Sequence, residues 1–238
     1  MYSLPMKSNR ASSLSSSGKT ARAPAVLEFQ ACGRQWRISR PADLESLWAA
    51  IDDDIFNEDE RLPYWVEVWP ASLGMARWLT ANAEAIRNRA CLDLGCGLGF
   101  TALAASACGA LVLAADYERE ALSYARINAS VNAVPSPLWV TMDWRHPAFA
   151  RHGLERIWAS DVLYEKRFAA PVSDFLDHCL APDGVAWISD PGRNTFEHFR
   201  ALHIRKGWTV RLAQKWDVEP VYTHTSPVGV NIWELRRA

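Results

Sequence analysis

The chain has 238 residues, 49% hydrophobic and 22% charged, enough apolar material for one large core or two small ones. Its 26 basic and 27 acidic side chains leave a net charge of -1, which argues against a broad electrostatic grip on nucleic acid or an anionic membrane. No apolar run approaches the roughly 20 residues that cross a bilayer as a helix, so neither nucleic acid nor membrane is expected as a partner.

Residues 1–24 are Ser-rich and basic, with Lys7, Arg10, Lys19 and Arg22 and no acid, and are expected to form a disordered tail. Such a composition suits a mitochondrial presequence in a eukaryotic chain and an extension outside the fold in a bacterial one. The expected compartment is the mitochondrial matrix or the cytoplasm accordingly. Residues 25–60 read as an N-terminal extension. Two short strands flank Cys32-Gly33, a helix near 43–51 starts from Asp43, and an acidic stretch follows at Asp52, Asp53, Asp54, Glu58, Asp59 and Glu60. Residues 61–238 read as the main domain. Ser72 is placed to cap a helix in which Leu73, Ala76, Leu79, Ala83 and Ile86 recur at helical spacing.

From residue 90 onward, apolar runs at 90–94, 110–116, 137–143, 156–161 and 184–190 alternate with helical patterns at about 99–108, 118–131, 168–181 and 194–206. Strands that are apolar along their length need cover on both faces, which predicts a parallel sheet with helical crossovers. The two last strand-like runs, WTVRLAQKWDV and VGVNIWELRR, have no helix between them and should pair antiparallel. The expected fold class is α/β: a doubly wound, mostly parallel, seven-stranded Rossmann-like sheet ending in an antiparallel hairpin.

Cys32, Cys91, Cys96, Cys108 and Cys179 are odd in number and scattered, so free thiols are expected rather than a disulfide framework or a zinc site. No metal is expected. Twelve tryptophans are unusual for this length. Trp139, Trp158, Trp187 and Trp233 fall in predicted strands. Trp36, Trp48, Trp78, Trp208 and Trp216 fall in peripheral elements, where packing is the simplest role. Trp65, Trp69 and Trp144 lie beside the segments discussed next.

The first parallel strand runs into Asp93-Leu94-Gly95-Cys96-Gly97-Leu98-Gly99. Glycine at 95, 97 and 99 permits a tight turn with backbone close to a ligand at a helix N-terminus. The dinucleotide pattern G-x-G-x-x-G fails, because Phe100 stands where its third glycine belongs. G-x-G-x-G with an acid two residues ahead matches motif I of class I methyltransferases. There Asp93 would offer charge to the ammonium of S-adenosylmethionine. Asp116, ending the second strand, suits the ribose hydroxyls, and Asp143 the adenine amino group, with Met142 and Trp144 beside the ring. The plain alternative is a glycine-rich turn with three acids serving as strand-end caps.

With these residues the chain resembles the seven-β-strand class I S-adenosylmethionine-dependent methyltransferases. More narrowly, it resembles the branch holding protein lysine methyltransferases and predicted nicotinamide N-methylases. Pro63-Tyr64-Trp65 with Trp69-Pro70, Asp161-Val162-Leu163-Tyr164 and Asp190-Pro191-Gly192-Arg193 carry the narrower match. Together they look most like the enzymes that methylate lysine in the β subunit of electron transfer flavoprotein, over roughly residues 60–235. The resemblance implies that Trp69 packs near the cofactor, S-adenosylmethionine, and that Asp161 and Tyr164 border the acceptor. Glu67 is a second candidate carboxylate for the amine. Each has a structural alternative: Asp161 a helix cap, Tyr164 core, Trp65 and Trp69 a packing staple, Asp190-Pro191 a turn, Arg193 a carboxylate or backbone partner. The expected function is N-methylation of lysine in a protein substrate. A small-molecule amine acceptor resembling nicotinamide and a non-catalytic binding module are the alternatives.

Overall fold

The computed structural model describes residues 25–42, 44, 63–221 and 226–238. The basic tail, the helix expected from Asp43, Trp48 and the acids at 52–60 lie outside the described residues. Two strands open the described chain, β1 (Ala25–Ala31) and β2 (Arg34–Arg40), paired antiparallel around Cys32 and Gly33. Helix α1 (Pro70–Ala81) follows, and then the alternating region: β3 (Ala90–Leu94), α2 (Phe100–Ala107), β4 (Leu111–Asp116), α3 (Arg119–Val131) and β5 (Leu138–Thr141). It continues through β6 (Leu154–Ser160), α4 (Ala169–Cys179), β7 (Leu180–Asp190), α5 (Asn194–Arg205), β8 (Trp208–Val218) and β9 (Val228–Arg237).

The last seven strands form one sheet in the order β5-β4-β3-β6-β7-β9-β8. The first five are parallel; β9 runs antiparallel to β7, and β8 pairs outside it. Alternation along the strands divides the core. Cys91, Val112, Trp158 and Trp187 pack under α1, α2 and α3, whereas Leu92, Leu94, Ile157 and Ile188 pack under α4 and α5. All five parallel strands therefore release the chain at the same sheet edge, where the loops after β3, β4, β5, β6 and β7 gather.

Helix α1 begins earlier and ends earlier than its periodicity predicts. Trp69 is its N-cap in extended conformation and Pro70 its first helical residue, so Ser72 is not the cap but lies inside the first turn. Proline at that place needs no amide donor, which makes it a helix start signal in its own right. Asn82 closes the helix by donating its backbone N–H and its side-chain amide to Trp78 O, leaving Ala83–Ala85 in a 3-10 turn. Ile86 is still fully buried, so the spacing reported burial correctly beyond the helix itself.

The β1–β2 hairpin is fastened to α3 by two asparagines one turn apart. Asn132 Oδ1 accepts from Arg37 N (2.9 Å) and its amide donates to Arg37 O (2.8 Å). Asn128 Oδ1 accepts from Ser39 N (2.7 Å) and its amide donates to Ser39 O (3.2 Å). Side-chain amides thereby complete the outer edge of β2, an edge that would otherwise invite another strand. Trp36 of this peripheral hairpin is a packing residue, as expected: it is fully buried, edge-on to Phe100 with centroids 5.2 Å apart.

Glu67 is likewise a structural residue and not an acceptor for the amine. Its carboxylate is buried, pairs with Arg40 of the hairpin, and accepts from Leu44 N (3.0 Å). Glu67→Ala should cost about 3 kcal/mol of unfolding free energy, because it strands the Arg40 guanidinium in a buried place. Glu67→Gln, which retains an acceptor for the Leu44 amide, should cost less. Urea denaturation of the two variants measures the difference.

Candidate functional site

The gathered strand ends enclose a cavity of about 470 Å³. It is lined by Leu94 at the end of β3 and Gly95 after it, Ala115 and Asp116 at the end of β4, and Met142 and Asp143 after β5. Ser160 at the end of β6, Asp161 after it and Arg193 after β7 also line it, with Trp65 and Trp69 from the segment before α1.

The glycine loop is strapped to β4. Gly95 N and Cys96 N both donate to Ala115 O, at 2.8 and 3.0 Å. Gly97 N donates to Asp116 Oδ2 at 2.7 Å, while Asp116 Oδ1 accepts from Glu118 N at 2.9 Å. Gly97 has φ +51, and a Cβ there would lie 3.3 Å from Trp65 O, so only glycine lets the chain pass this close. Gly99, at φ +84, is the N-cap of α2, where a Cβ would meet Ala125 and Trp139 at 2.9 Å. Gly95 and Gly97 line the cavity and Gly99 does not: it lets α2 close onto α3 and β5.

Asp93 stands apart from the cavity. It is fully buried beneath the loop, where its Oδ2 accepts from Thr101 Oγ1 (2.5 Å) and Trp158 is its cross-strand neighbour. The charge expected beside a ligand ammonium is thus turned into the protein and holds the start of α2. Burial pushes the Asp93 carboxyl up to about 7, against the stabilising bond from Thr101. Burial also raises Asp116, to about 6, although backbone N–H groups of Glu118, Gly97 and Tyr117 favour its charged form.

Asp143 lies two residues beyond β5, at the cavity wall. Arg145 binds it through Nε at 3.0 and 2.8 Å and through its backbone N at 2.9 Å, which holds its carboxyl below the usual range. Trp144 lines the cavity beside it, edge-on to Phe168 at 5.4 Å. From there aromatic rings run in an unbroken row. Phe168 meets Tyr164 at 5.0 Å, Tyr164 meets Tyr64 at 4.9 Å, and Tyr64 meets Trp69 at 6.1 Å. Trp69 Nε1 donates to Tyr64 O (2.8 Å), fixing that end of the row. Burial drives the Tyr164 phenol well above its ordinary value, so it stays protonated.

Asp161 has left-handed backbone, φ +57, pinned where its N–H donates to Ser189 O (3.0 Å). Its side chain is 7% exposed and forms a two-pronged ion pair with Arg193, Nε to Oδ1 at 2.6 Å and Nη2 to Oδ2 at 3.0 Å. Burial raises the Asp161 carboxyl, and the Arg193 guanidinium opposes the rise. Arg193 is therefore the carboxylate partner that its position after β7 allowed. The structure brings Trp69, Gly95, Gly97, Asp116, Asp143, Trp144, Asp161 and Tyr164 to one cavity and leaves Asp93 and Gly99 behind it. Sequence reasoning missed Arg145 and Phe168 as wall residues. Arg145 was findable as a base two residues past an acid, whereas Phe168 depends on the 3-10 turn Lys166–Phe168.

With this geometry established, comparison with known proteins decides the family. The family model described as lysine methyltransferase matches residues 52–199. The chain belongs to the lysine methyltransferase family. A relative named electron transfer flavoprotein beta subunit lysine methyltransferase, from Danio rerio, is 34% identical over 146 residues, 59% of this chain and 56% of its own length. The Homo sapiens protein of the same name is 29% identical over 148 residues, 60% of this chain and 55% of its own. The chain thus spans about half the length of the curated relatives it matches. Among solved structures, magnesium protoporphyrin IX methyltransferase from Synechocystis, with bound SAM, shares the fold. Its TM-score is 0.55 at 18% identity, covering 83% of this chain and 98% of that one. Family membership agrees with the resemblance carried by Asp161–Tyr164 and Asp190–Arg193.

Within this lysine methyltransferase family member, the loop depends on the bond between Thr101 and Asp93. Thr101→Val should cost about 1–3 kcal/mol, by leaving a buried carboxyl oxygen without its donor. The Thr101 bond favours the ionised carboxyl, so the loss should be greater above pH 7 than well below it, because Asp93 titrates at about 7. Urea titrations on either side of that pH give the comparison.

Proposed function

We propose that this protein is an S-adenosylmethionine-dependent N-methyltransferase that methylates lysine in a protein. The β subunit of electron transfer flavoprotein is the proposed substrate, from the names of the relatives. The observation that carries the reading is that one cavity is lined both by the glycine loop with Asp116 and by Asp161 with Tyr164.

The residues present fit the cofactor. Backbone N–H groups of Gly97, Tyr117 and Glu118 hold the Asp116 carboxylate at the cavity, where it can accept from the ribose hydroxyls, and the bare Gly97 backbone gives the ligand close approach. Asp143 suits an exocyclic amine, and Met142 with Trp144 would flank the ring. Trp69 closes the cavity beside them. When bound, the cofactor supplies an electrophilic methyl group on a sulfonium. The transfer is then limited mainly by positioning and by exclusion of water.

The work of this chain lies on the acceptor side. A lysine ammonium, with an ordinary pKa of about 10.4, must give up a proton to solvent as it enters, before its nitrogen can attack. The Tyr64, Tyr164 and Phe168 rings narrow the approach, attract the cation and keep bulk water away. The Asp161 carboxylate accepts a hydrogen bond from the amine and so orients its lone pair. In the cell the protein would work where that substrate is made or kept, the cytoplasm of a bacterium or the mitochondrial matrix of a eukaryote.

Calorimetry with S-adenosylhomocysteine tests the cofactor site, and no binding at millimolar ligand would sink the proposal. Hydroxyl donors bind the ionised Asp116, which titrates at about 6, so affinity should rise as pH climbs from about 5 to about 7.5 and then level off. Asp116→Asn should weaken binding roughly tenfold or more and flatten that dependence. Asp161→Ala should leave cofactor affinity within about twofold while lowering methyl transfer to recombinant flavoprotein β subunit by on the order of 100-fold. Label transferred only to small molecules in a proteome incubated with labelled cofactor would favour a small-molecule acceptor instead.

A further inference from the structure

The turn after β7 is built to aim one side chain. Asp190, which ends β7 and is 3% exposed, accepts from Gly192 N (2.7 Å) and Arg193 N (3.0 Å) through the same oxygen, Oδ2. Pro191 stiffens the turn and Gly192 takes φ +87 within it. Arg193 then caps α5 in extended conformation, and its guanidinium reaches back to Asp161 across the cavity wall. Thr195 Oγ1 donates to Leu163 O, a second tie between this turn and the loop after β6. The guanidinium fork matches the carboxylate in both geometry and charge, which a lysine could not do.

We propose that Arg193 is a positioning residue for the methyl acceptor, holding the Asp161 carboxylate fixed at the cavity wall for the incoming amine. The inference rests on the lysine methyltransferase reading and adds a specific role for the arginine of the Asp190–Arg193 element. Two bonds from the fork leave each Asp161 oxygen its second lone pair, so the carboxylate can receive the amine without turning. The fork also sets the charge. Asp161 is buried enough that its carboxyl is raised even beside Arg193, and removing the guanidinium raises it further. A protonated Asp161 accepts poorly from the amine. The other ionisable groups at this end of the cavity are Asp190 from the β7 turn, Tyr64 from the segment before α1, Asp116 from β4, and Tyr164, Glu165 and Arg167 on the loop after β6. Only Arg193 is seen to bond to the Asp161 carboxylate among the described residues.

The test compares wild type, Arg193→Met and Arg193→Lys in single-turnover methylation of flavoprotein β subunit across about pH 6 to pH 9.5. Melting temperature and S-adenosylhomocysteine affinity are measured on each protein. Arg193→Met should lose on the order of 100-fold in rate near pH 7, with the deficit shrinking as pH rises and Asp161 ionises again. Arg193→Lys, which supplies charge without the fork, should return the ratio to near pH-independence while remaining roughly tenfold slow. Cofactor affinity should stay within about twofold in both. A merely structural role predicts a deficit that is the same at every pH, and that result would overturn the proposal. So would full activity of Arg193→Met. If wild type binds the cofactor yet methylates no protein lysine at any pH, the functional reading fails and this inference with it. If wild type is active and the deficit ignores pH, this inference alone fails.

Discussion

A parallel sheet covered on both faces must deliver all its strand ends to one edge, and there the chain meets backbone groups with no further strand to pair them. In this protein the Ala115 carbonyl takes two amides of the glycine loop, the Asp116 carboxylate takes the Gly97 amide, and Asp190 takes two amides of the next turn. Asp161 donates its own amide across to Ser189 O. Each bond satisfies a backbone group and in the same act fixes a side chain at the cavity. The site and the solution to the edge problem are one set of contacts.

The acids at that edge divide into two kinds. Asp93, Asp116 and Asp190 are stabilised by hydroxyl or backbone dipoles, and burial raises all three. Asp143 and Asp161 instead carry arginines, Arg145 and Arg193. Neutral donors thus serve Asp93, Asp116 and Asp190, while Asp143 and Asp161 are compensated by ion pairs. A bare cluster of five carboxylates would repel itself in so confined a space. The arrangement spreads the cost over different partners, and it leaves the Asp116 lone pairs and the Asp161 outer lone pairs free of any cation that must be displaced outright.

Much of this fold can be read in the chain because its strands are apolar along their length and its helices fall between them. The regular beat of ACLDL, LVLAAD and GVAWISD announces a buried parallel sheet, and the missing helix before VGVNIWELRR announces the antiparallel end. What local pattern cannot show is pairing at a distance. Glu67 looks like a free carboxylate until Arg40, 27 residues earlier, is seen folded against it. Asp161 and Arg193 stand 32 residues apart, and Asn128 and Ser39 stand 89 apart. Asp93 shows the same limit from another side. Its place before the glycines is plain in the sequence, but strand alternation turns it toward Trp158 and Thr101, beneath the loop rather than above it.

Asn128 has one more bond than hairpin docking requires: its amide also donates to Leu98 O, within the glycine loop, at 3.1 Å. One side chain is therefore shared by the N-terminal hairpin and the loop that faces the cavity. Its carbonyl oxygen and amide thus meet Ser39 on one side and Leu98 on the other. The hairpin lies outside the cavity walls, yet the residue that seats it on α3 also holds the glycine loop that lines the cavity, so a substitution at Asn128 would loosen both at once.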